Sequence, residues 1–342
     1  MTLHLHGLGH FHPENEITNQ FLEELDIGTT DEWILERVGI RSRRTLMPLD
    51  YIRETRNRDP RMALEAADYS AAEIGERAAR MALRRAGVPA SEIGMVIAGS
   101  SAGDFSSPAE ACNVARLLEL EVPAIDISSA CTSFYAQLHM LSMMRADALP
   151  PYVLLVVPDG LSRTVDYTDR TSAVLWGDAA VAAVVSTSVA ARAHIVGSSL
   201  ISSPAGWDKV QVPRLGHFRQ EGRTVQMFAI RKTSERLLAL RAEYEEEERS
   251  FHFVGHQANL RMLESVCRKC EIAPERHHSN VEWFGNTGAA SAASVLSMGW
   301  EKWRDGDDVA VVGVGAGLTW ASYLLRFGAD DASGPWDEGG AQ

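Results

Sequence analysis

The chain has 342 residues, 45% hydrophobic and 23% charged, with a formal net charge of −13 and only four cysteines. That length allows one large core or two fused units of ordinary size. The acidic balance excludes general binding to nucleic acid or anionic membrane, which both need a cationic surface, and so few thiols argue against a disulfide framework and suit a reducing cytoplasm.

The first residues, MTLHLHGLGHFHPENE, show no basic segment followed by a long apolar run, so no signal peptide is expected. No apolar stretch is long enough to span a bilayer. ERVGIRSRRTL puts Arg37, Arg41, Arg43 and Arg44 close together. The simplest reading is a solvated basic face; a local site for a small anionic ligand is the alternative. MPLDYIRETRNRDPRMALEAADYS reads as a charged surface excursion.

From there helical and strand patterns alternate. AAEIGERAARMALRRAG predicts a helix stopped by Gly87. GMVIAGSS has the unbroken apolar run of a buried strand. NVARLLEL predicts a helix, PAIDIS a strand, and CTSFYAQLHMLSMMRA a helix with Phe134, Leu138 and Leu141 on one face. YVLLVVPDG and WGDAAVAAVVST predict strands. No Pro/Gly-rich linker marks 186–192, and a second half of similar style follows. AIRKTSERLLALRAEY and ANLRMLESVCRKC read as helices, FHFVGH as a strand, GAASAASVLSMGWEKW as a small-residue helix, and DDVAVVGVGAG as a strand entering a glycine turn. The order predicts α/β layers around buried sheets, with two similar halves, 1–187 and 188–330, packed as one body. The tail, 331–342, is expected to be disordered.

Four segments could carry chemistry. Cys131 begins a helical pattern, where free backbone N–H groups and the helix dipole favour a thiolate. Free cysteines are also common as small buried hydrophobes, so position alone leaves both readings open. A nucleophilic cysteine works with a histidine distant in sequence, and GHQANLRM supplies His256 at a strand end. FGNTGAAS offers Asn286 in a glycine-flanked turn, which by itself is a tight turn. GVGAGLT exposes backbone N–H groups that can hold an oxyanion, and its spacing matches neither dinucleotide nor Walker signatures. CRKC, Cys267 to Cys270, lacks a second ligand pair for zinc and reads as structural.

Taken together, TTDEWILERVGIRSRR, SSACTSF, GHQANLRM, FGNTGAAS and GAGLTWASYLLRF occur in the order of, and resemble, the motifs of the thiolase-fold condensing enzymes, most closely the β-ketoacyl-acyl-carrier-protein synthase III family. The resemblance implies two α/β/α/β/α halves forming a five-layered body, a cytoplasmic homodimer, and no metal or resident cofactor. It implies that Cys131 takes an acyl group from acyl-CoA. His256 and Asn286 would then hold the enolate of a malonyl thioester carried by acyl carrier protein, and the backbone of Cys131 and Ala316 the second oxyanion. A β-ketoacyl product would leave, for fatty-acid initiation or specialised metabolism. By the same resemblance Trp33, Arg37 and Arg170 bind CoA, Arg261 docks the carrier protein, and Ser107, Trp176 and Leu318 shape the acyl pocket. A surface salt bridge is the competing role for Arg261.

The chain departs from the family pattern at several points. Ala316 and Leu318 replace a glycine and a phenylalanine, Ser107 stands where a bulky phenylalanine is common, and Trp176 where a smaller aromatic is. One change would open the pocket and another fill it. The rival activities on this scaffold are acyl transfer to a hydroxyl or amine and head-to-head condensation of two acyl chains. A degradative thiolase is disfavoured because the loop from Gly313 to Thr319 has no second cysteine.

Overall fold

The computed structural model describes residues 2–329. In chain order its main elements are β1 (Leu3–Phe11), α1 (Asp31–Arg37), α2 (Ala71–Ala86), β2 (Ile93–Ala98), α3 (Glu110–Leu117), β3 (Ala124–Asp126), α4 (Ser133–Met143), β4 (Tyr152–Asp159), β5 (Ala179–Ser186), β6 (Ala193–Ser202), α5 (Gly222–Tyr244), β7 (Ser250–Gly255), α6 (Leu260–Lys269), α7 (Ser291–Met298), β8 (Asp307–Gly315) and β9 (Thr319–Phe327). The local signals are legible. Ser70 and Glu73 form a capping box at the start of α2, and Gly87 closes it with φ +66°.

The strands form one sheet in the order β7-β8-β9-β6-β1-β5-β4-β2-β3. Its two halves repeat. In β3-β2-β4-β5-β1, the first three strands are parallel and the last two pair antiparallel to their neighbours. In β7-β8-β9-β6, the first pair is parallel and the next two are antiparallel. A parallel bridge from Phe253 to His277 stands where β3 stands in the first half. The halves join through a short ladder pairing Leu3–Leu5 of β1 with β6.

Strand alternation sorts side chains between layers. In β5, Ala179, Val181, Ala183 and Val185 enter the central core, while Ala180, Ala182 and Val184 meet the outer helices. Helices α2 and α3 cover one outer face, α5 and α6 the other, and α4 and α7 fill the middle. The central core joins Phe134, Leu138 and Leu141 of α4 to Val295 and Leu296 of α7. Five layers result, as in the thiolase fold, with α4 and α7 carried between the two sheet halves.

Three expectations change. The 47–70 segment is no loose excursion: Asn57 is fully buried and its amide donates to Arg163 O at 2.9 Å and Val165 O at 2.8 Å. Those carbonyls sit beside a 3₁₀ turn and need donors, so the segment is pinned. The basic cluster is not one face, because Arg43 is fully buried and donates to Val174 O at 3.0 Å and to Asn19 Oδ1 at 2.6 Å. Burial pulls its pKa down to about 9. The small-residue helix stops at Met298, and Trp300 and Trp303 pack beyond it into the core. Cys267 and Cys270 are free thiols. The 331–342 tail lies outside the described residues.

Candidate active site

Cys131 sits just ahead of α4, whose N-cap is Thr132. The bend that presents it is made by Ala130, at φ +47°, a conformation that costs a non-glycine residue about 1–2 kcal/mol. Hydroxyls hold it: Ser133 Oγ accepts from Ser129 N–H at 2.9 Å and donates to Ala130 O at 2.6 Å. Thr132 Oγ1 donates to Ser129 O at 2.7 Å and lies 2.9 Å from Thr319 Oγ1 of β9. The Cys131 turn is thus tied to the second half. A Cβ at Gly315 would crowd this turn, standing 2.9 Å from Thr319 Oγ1 and 3.3 Å from both Cys131 N and Thr132 N.

His256 follows β7, its N–H donating to Val312 O at 2.8 Å. Its Nδ1 lies 2.7 Å from Ser291 Oγ. That oxygen also accepts from Gln257 N–H at 3.3 Å; when its own proton goes to Nδ1, Nε2 is the protonated nitrogen. Burial pulls the imidazole down to about 4, so at neutral pH it is an uncharged N–H donor. Gln257 is fully buried and stitches the histidine loop to the asparagine loop. Its Oε1 accepts from Asn280 N at 3.0 Å and Val281 N at 3.2 Å. In the same motif, Asn259 caps α6 through Met262 N at 2.8 Å.

Asn286 lies opposite. Its backbone bonds to Leu175 O at 2.8 Å and Gly177 N at 3.0 Å. Its Oδ1 accepts from Gly288 N at 3.0 Å, so the Nδ2 hydrogens remain for a ligand. Gly288 has φ +57°, and a Cβ there would lie 2.2 Å from Asp159 Oδ2.

One cavity of about 440 Å³ is lined by Cys131, His256 and Asn286 together, within the size range of ligand pockets. Ala316, Trp33, Arg37, Trp176 and Leu318 line it too. Trp176 packs edge-on against Phe218 at 4.6 Å, and Leu318 is buried. Ser107 does not reach the cavity. It is exposed on a loop facing a second hollow, whose wall includes Phe105 and Ser106. The chain does not fold that loop back over Cys131.

Arg170 is also absent from the lining. Its guanidinium sits 4.8 Å from the Trp33 ring and donates to Gly28 O. The two stack directly and leave no slot between them. Arg37 lies 5.9 Å from the same ring. Arg261 is committed to the fold: it donates to Leu35 O at 2.7 Å and Glu36 O at 3.2 Å, ending α1, and pairs with Glu264 at 3.1 Å.

The electrostatics correct one expectation. Burial, then the charge of Asp159, pushes the Cys131 thiol up to about 12. Desolvation outweighs the helix end, so the resting sulfur is a thiol. Asp159 escaped the sequence reading although it stands next to last in YVLLVVPDG, a carboxyl closing a buried strand. Ser291 and Gln257 escaped as well, since nothing local marks their partners.

Known proteins align with this arrangement. The models of 3-oxoacyl-[acyl-carrier-protein] synthase III and of its C-terminal region match residues 125–204 and 241–327. The β-ketoacyl-[acyl-carrier-protein] synthase III of Oceanobacillus iheyensis is 31% identical over 96% of this chain and 100% of its own. The crystal structure of 3-oxoacyl-(acyl carrier protein) synthase III from Pseudomonas aeruginosa PAO1 superposes with a TM-score of 0.83 at 31% identity, covering 96% and 99% of the two chains. The priming β-ketosynthase of the R1128 polyketide biosynthetic pathway does so with a TM-score of 0.78 at 26% identity, covering 96% and 97%. Likeness of this degree, along nearly the whole of both chains, means that the protein belongs to the β-ketoacyl-[acyl-carrier-protein] synthase III family of acyl-thioester condensing enzymes.

Proposed function

We propose that Cys131 accepts an acyl group from acyl-CoA and that the acyl-enzyme then condenses with a malonyl thioester on acyl carrier protein. The observation that supports it is the convergence of Cys131, His256 and Asn286, from three distant segments, on one cavity. In the first half-reaction sulfur bonds to the acyl carbon and CoA leaves as the thiol. In the second, the malonyl carboxylate departs as CO₂ and its electrons pass to the thioester enolate. His256 Nε2–H and Asn286 Nδ2–H donate to that oxygen. Neutral donors suit this step, because a proton lost outright from a cation would quench the carbanion. The carbanion attacks the acyl-enzyme, the amides of Cys131 and Ala316 hold the tetrahedral oxyanion, and the β-ketoacyl product leaves as the sulfur takes up a proton. Dividing the reaction at the covalent intermediate lowers both barriers.

Trp33 and Arg37 flank the mouth and suit a CoA nucleotide. Arg170 joins them once it swings off the indole face. Trp176 and Leu318 bound the acyl chain. Carrier docking at Arg261 fits its position less well, since its donors are taken. The family relationship supports a cytoplasmic homodimer, which equilibrium sedimentation tests. Incubation with a panel of acyl-CoAs, read by intact mass, tests loading: the adduct is expected on the native protein and absent from Cys131→Ala. Adding malonyl-carrier protein should release CO₂ and β-ketoacyl product. A stable adduct that passes only to alcohols, amines or a second acyl chain would replace this reading with transfer or head-to-head condensation.

A further inference from the structure

A hollow of about 580 Å³ shares no lining residue with the cavity of Cys131. Its wall includes His252 of β7, Arg276, His277, His278, Lys302 and Asp307, five basic side chains against one carboxylate. The chain as a whole carries a net charge of −13, so this concentration of basic groups is a local feature. Their hydrogen bonds leave donors over. Arg276 Nη1 donates to His252 Nε2 at 3.1 Å, because a guanidinium has no acceptor. In the neutral pair the His252 hydrogen is therefore on Nδ1, which donates to His278 Nε2, 3.0 Å away. That leaves the His278 hydrogen on its own Nδ1, available to a ligand. His277 Nε2 is buried with no partner, and the Lys302 ammonium forms no ion pair, among the described residues. The one carboxylate is partly engaged: Asp307 Oδ2 accepts from Arg304 N at 2.7 Å, while Oδ1 lies 3.4 Å from His252 Nε2. Donors outnumber acceptors around this hollow, which is the chemistry of an anion site.

We propose that this hollow binds a phosphate dianion, free or as a small monoester, and that His252 takes up a proton from solvent as the anion enters. Arg276 turns from the imidazole to the anion, since a charge-assisted bond to phosphate is stronger than one to a neutral ring nitrogen. His252 Nε2, freed of the guanidinium, takes the proton and donates it to Asp307 Oδ1. His252 Nδ1 keeps its bond to His278, whose Nδ1 hydrogen goes to a phosphate oxygen, and Lys302 adds a second positive charge. The groups facing the pair set the balance. Burial and the charges of Arg276 and His277 disfavour the imidazolium, whereas Asp307 and Asp308 favour it. His277 also faces Glu264 of α6. An entering dianion draws Arg276 away and adds negative charge, and both changes favour protonation. The hollow is larger than a bare phosphate needs, and Met298 and Trp303 in its wall give an organic body apolar contact.

Titration calorimetry of the full chain at about pH 7, with inorganic phosphate and with phenyl phosphate as probes, tests this. Phenyl phosphate is largely a dianion there. Repeating the titration in buffers of different ionisation enthalpy counts the protons exchanged. The native protein should take up about half to one proton per phenyl phosphate bound, and His252→Gln should take up none. Arg276→Gln should weaken binding at least about tenfold, the loss of a charge-assisted bond. If that variant fails to fold, the exposed Lys302 serves instead, and Lys302→Gln should weaken binding about threefold. Equal affinity for the two probes would assign the site to free phosphate; tighter binding of phenyl phosphate would assign it to a monoester. No binding of either probe to the native protein, or native affinity in both Arg276→Gln and Lys302→Gln, would overturn the site. Heats of binding that do not change with the buffer would overturn the proton uptake at His252.

Discussion

Residues in the cavity divide by what burial does to their charge. His256 is held neutral and pointed by Ser291, and Asn286 is pointed by Gly288. Both are donors of fixed direction, and a preorganised donor to a developing oxyanion is worth about 2.7–4 kcal/mol. His256→Ala and Asn286→Ala should each lower condensation about 10²–10³-fold while single-turnover loading of Cys131 persists. Equal loss of both half-reactions, measured separately by mass and by CO₂ release, would contradict the division of roles. Trp33 is different, since it lines the cavity only half-buried and its partner Arg170 already occupies one face. Trp33→Ala should raise KM for acyl-CoA about tenfold, on the order of one cation–π or stacking contact, and leave KM for the malonyl carrier unchanged. Steady-state kinetics with each substrate varied in turn reads the difference.

At the scale of elements, the site depends on segments that never touch substrate. Gln257 links the histidine and asparagine loops, Thr132 and Thr319 link α4 to β9, and Arg261 ends α1. The 47–70 segment belongs in this group. Its Asn57 supplies donors to two carbonyls beside the 3₁₀ turn Leu161–Thr164. Removing them leaves buried acceptors unpaired, which costs about 1–3 kcal/mol apiece. Asn57→Ala should therefore lower Tm by several degrees in calorimetry, whereas alanine at the exposed Arg58 should not.

Across the whole molecule, burial keeps several histidines neutral. His10, His256 and His278 are drawn down to about 4 and His12 to about 3. The unfolded chain protonates each near 6.5. Between those values it binds protons that the native state does not, so this stability is present above pH 6.5 and lost as pH falls towards 4. Glu110, raised to about 7, and Asp178, raised to about 6, act oppositely. Asp159 is raised as well. His6, His252 and His277 are lowered too, by burial first, so seven groups against three leave the histidines ahead and Tm should fall from pH 7 to pH 5. An unchanged or higher Tm at pH 5 would show that the carboxyls dominate.

The sequence by itself determined the elements with a periodic pattern and singled out the three residues, Cys131, His256 and Asn286, that meet in one cavity. The apolar runs of β4, β5 and β8, the cap signals of α2, and the ordered motifs around Cys131, His256 and Asn286 are all local, and local information is what a sequence displays. β1 was not legible, because LHLHGLGHF interleaves histidine and glycine with its leucines and its place at the join of the halves depends on strands nearly two hundred residues away. Only the tertiary structure decided that Arg43 is buried, that Ser107 stays out of the cavity, that Arg170 closes onto Trp33, and that the buried Asp159 acts electrostatically on Cys131. The reason is physical: burial and proton affinity are properties of what surrounds a group, and distant chain segments supply those surroundings.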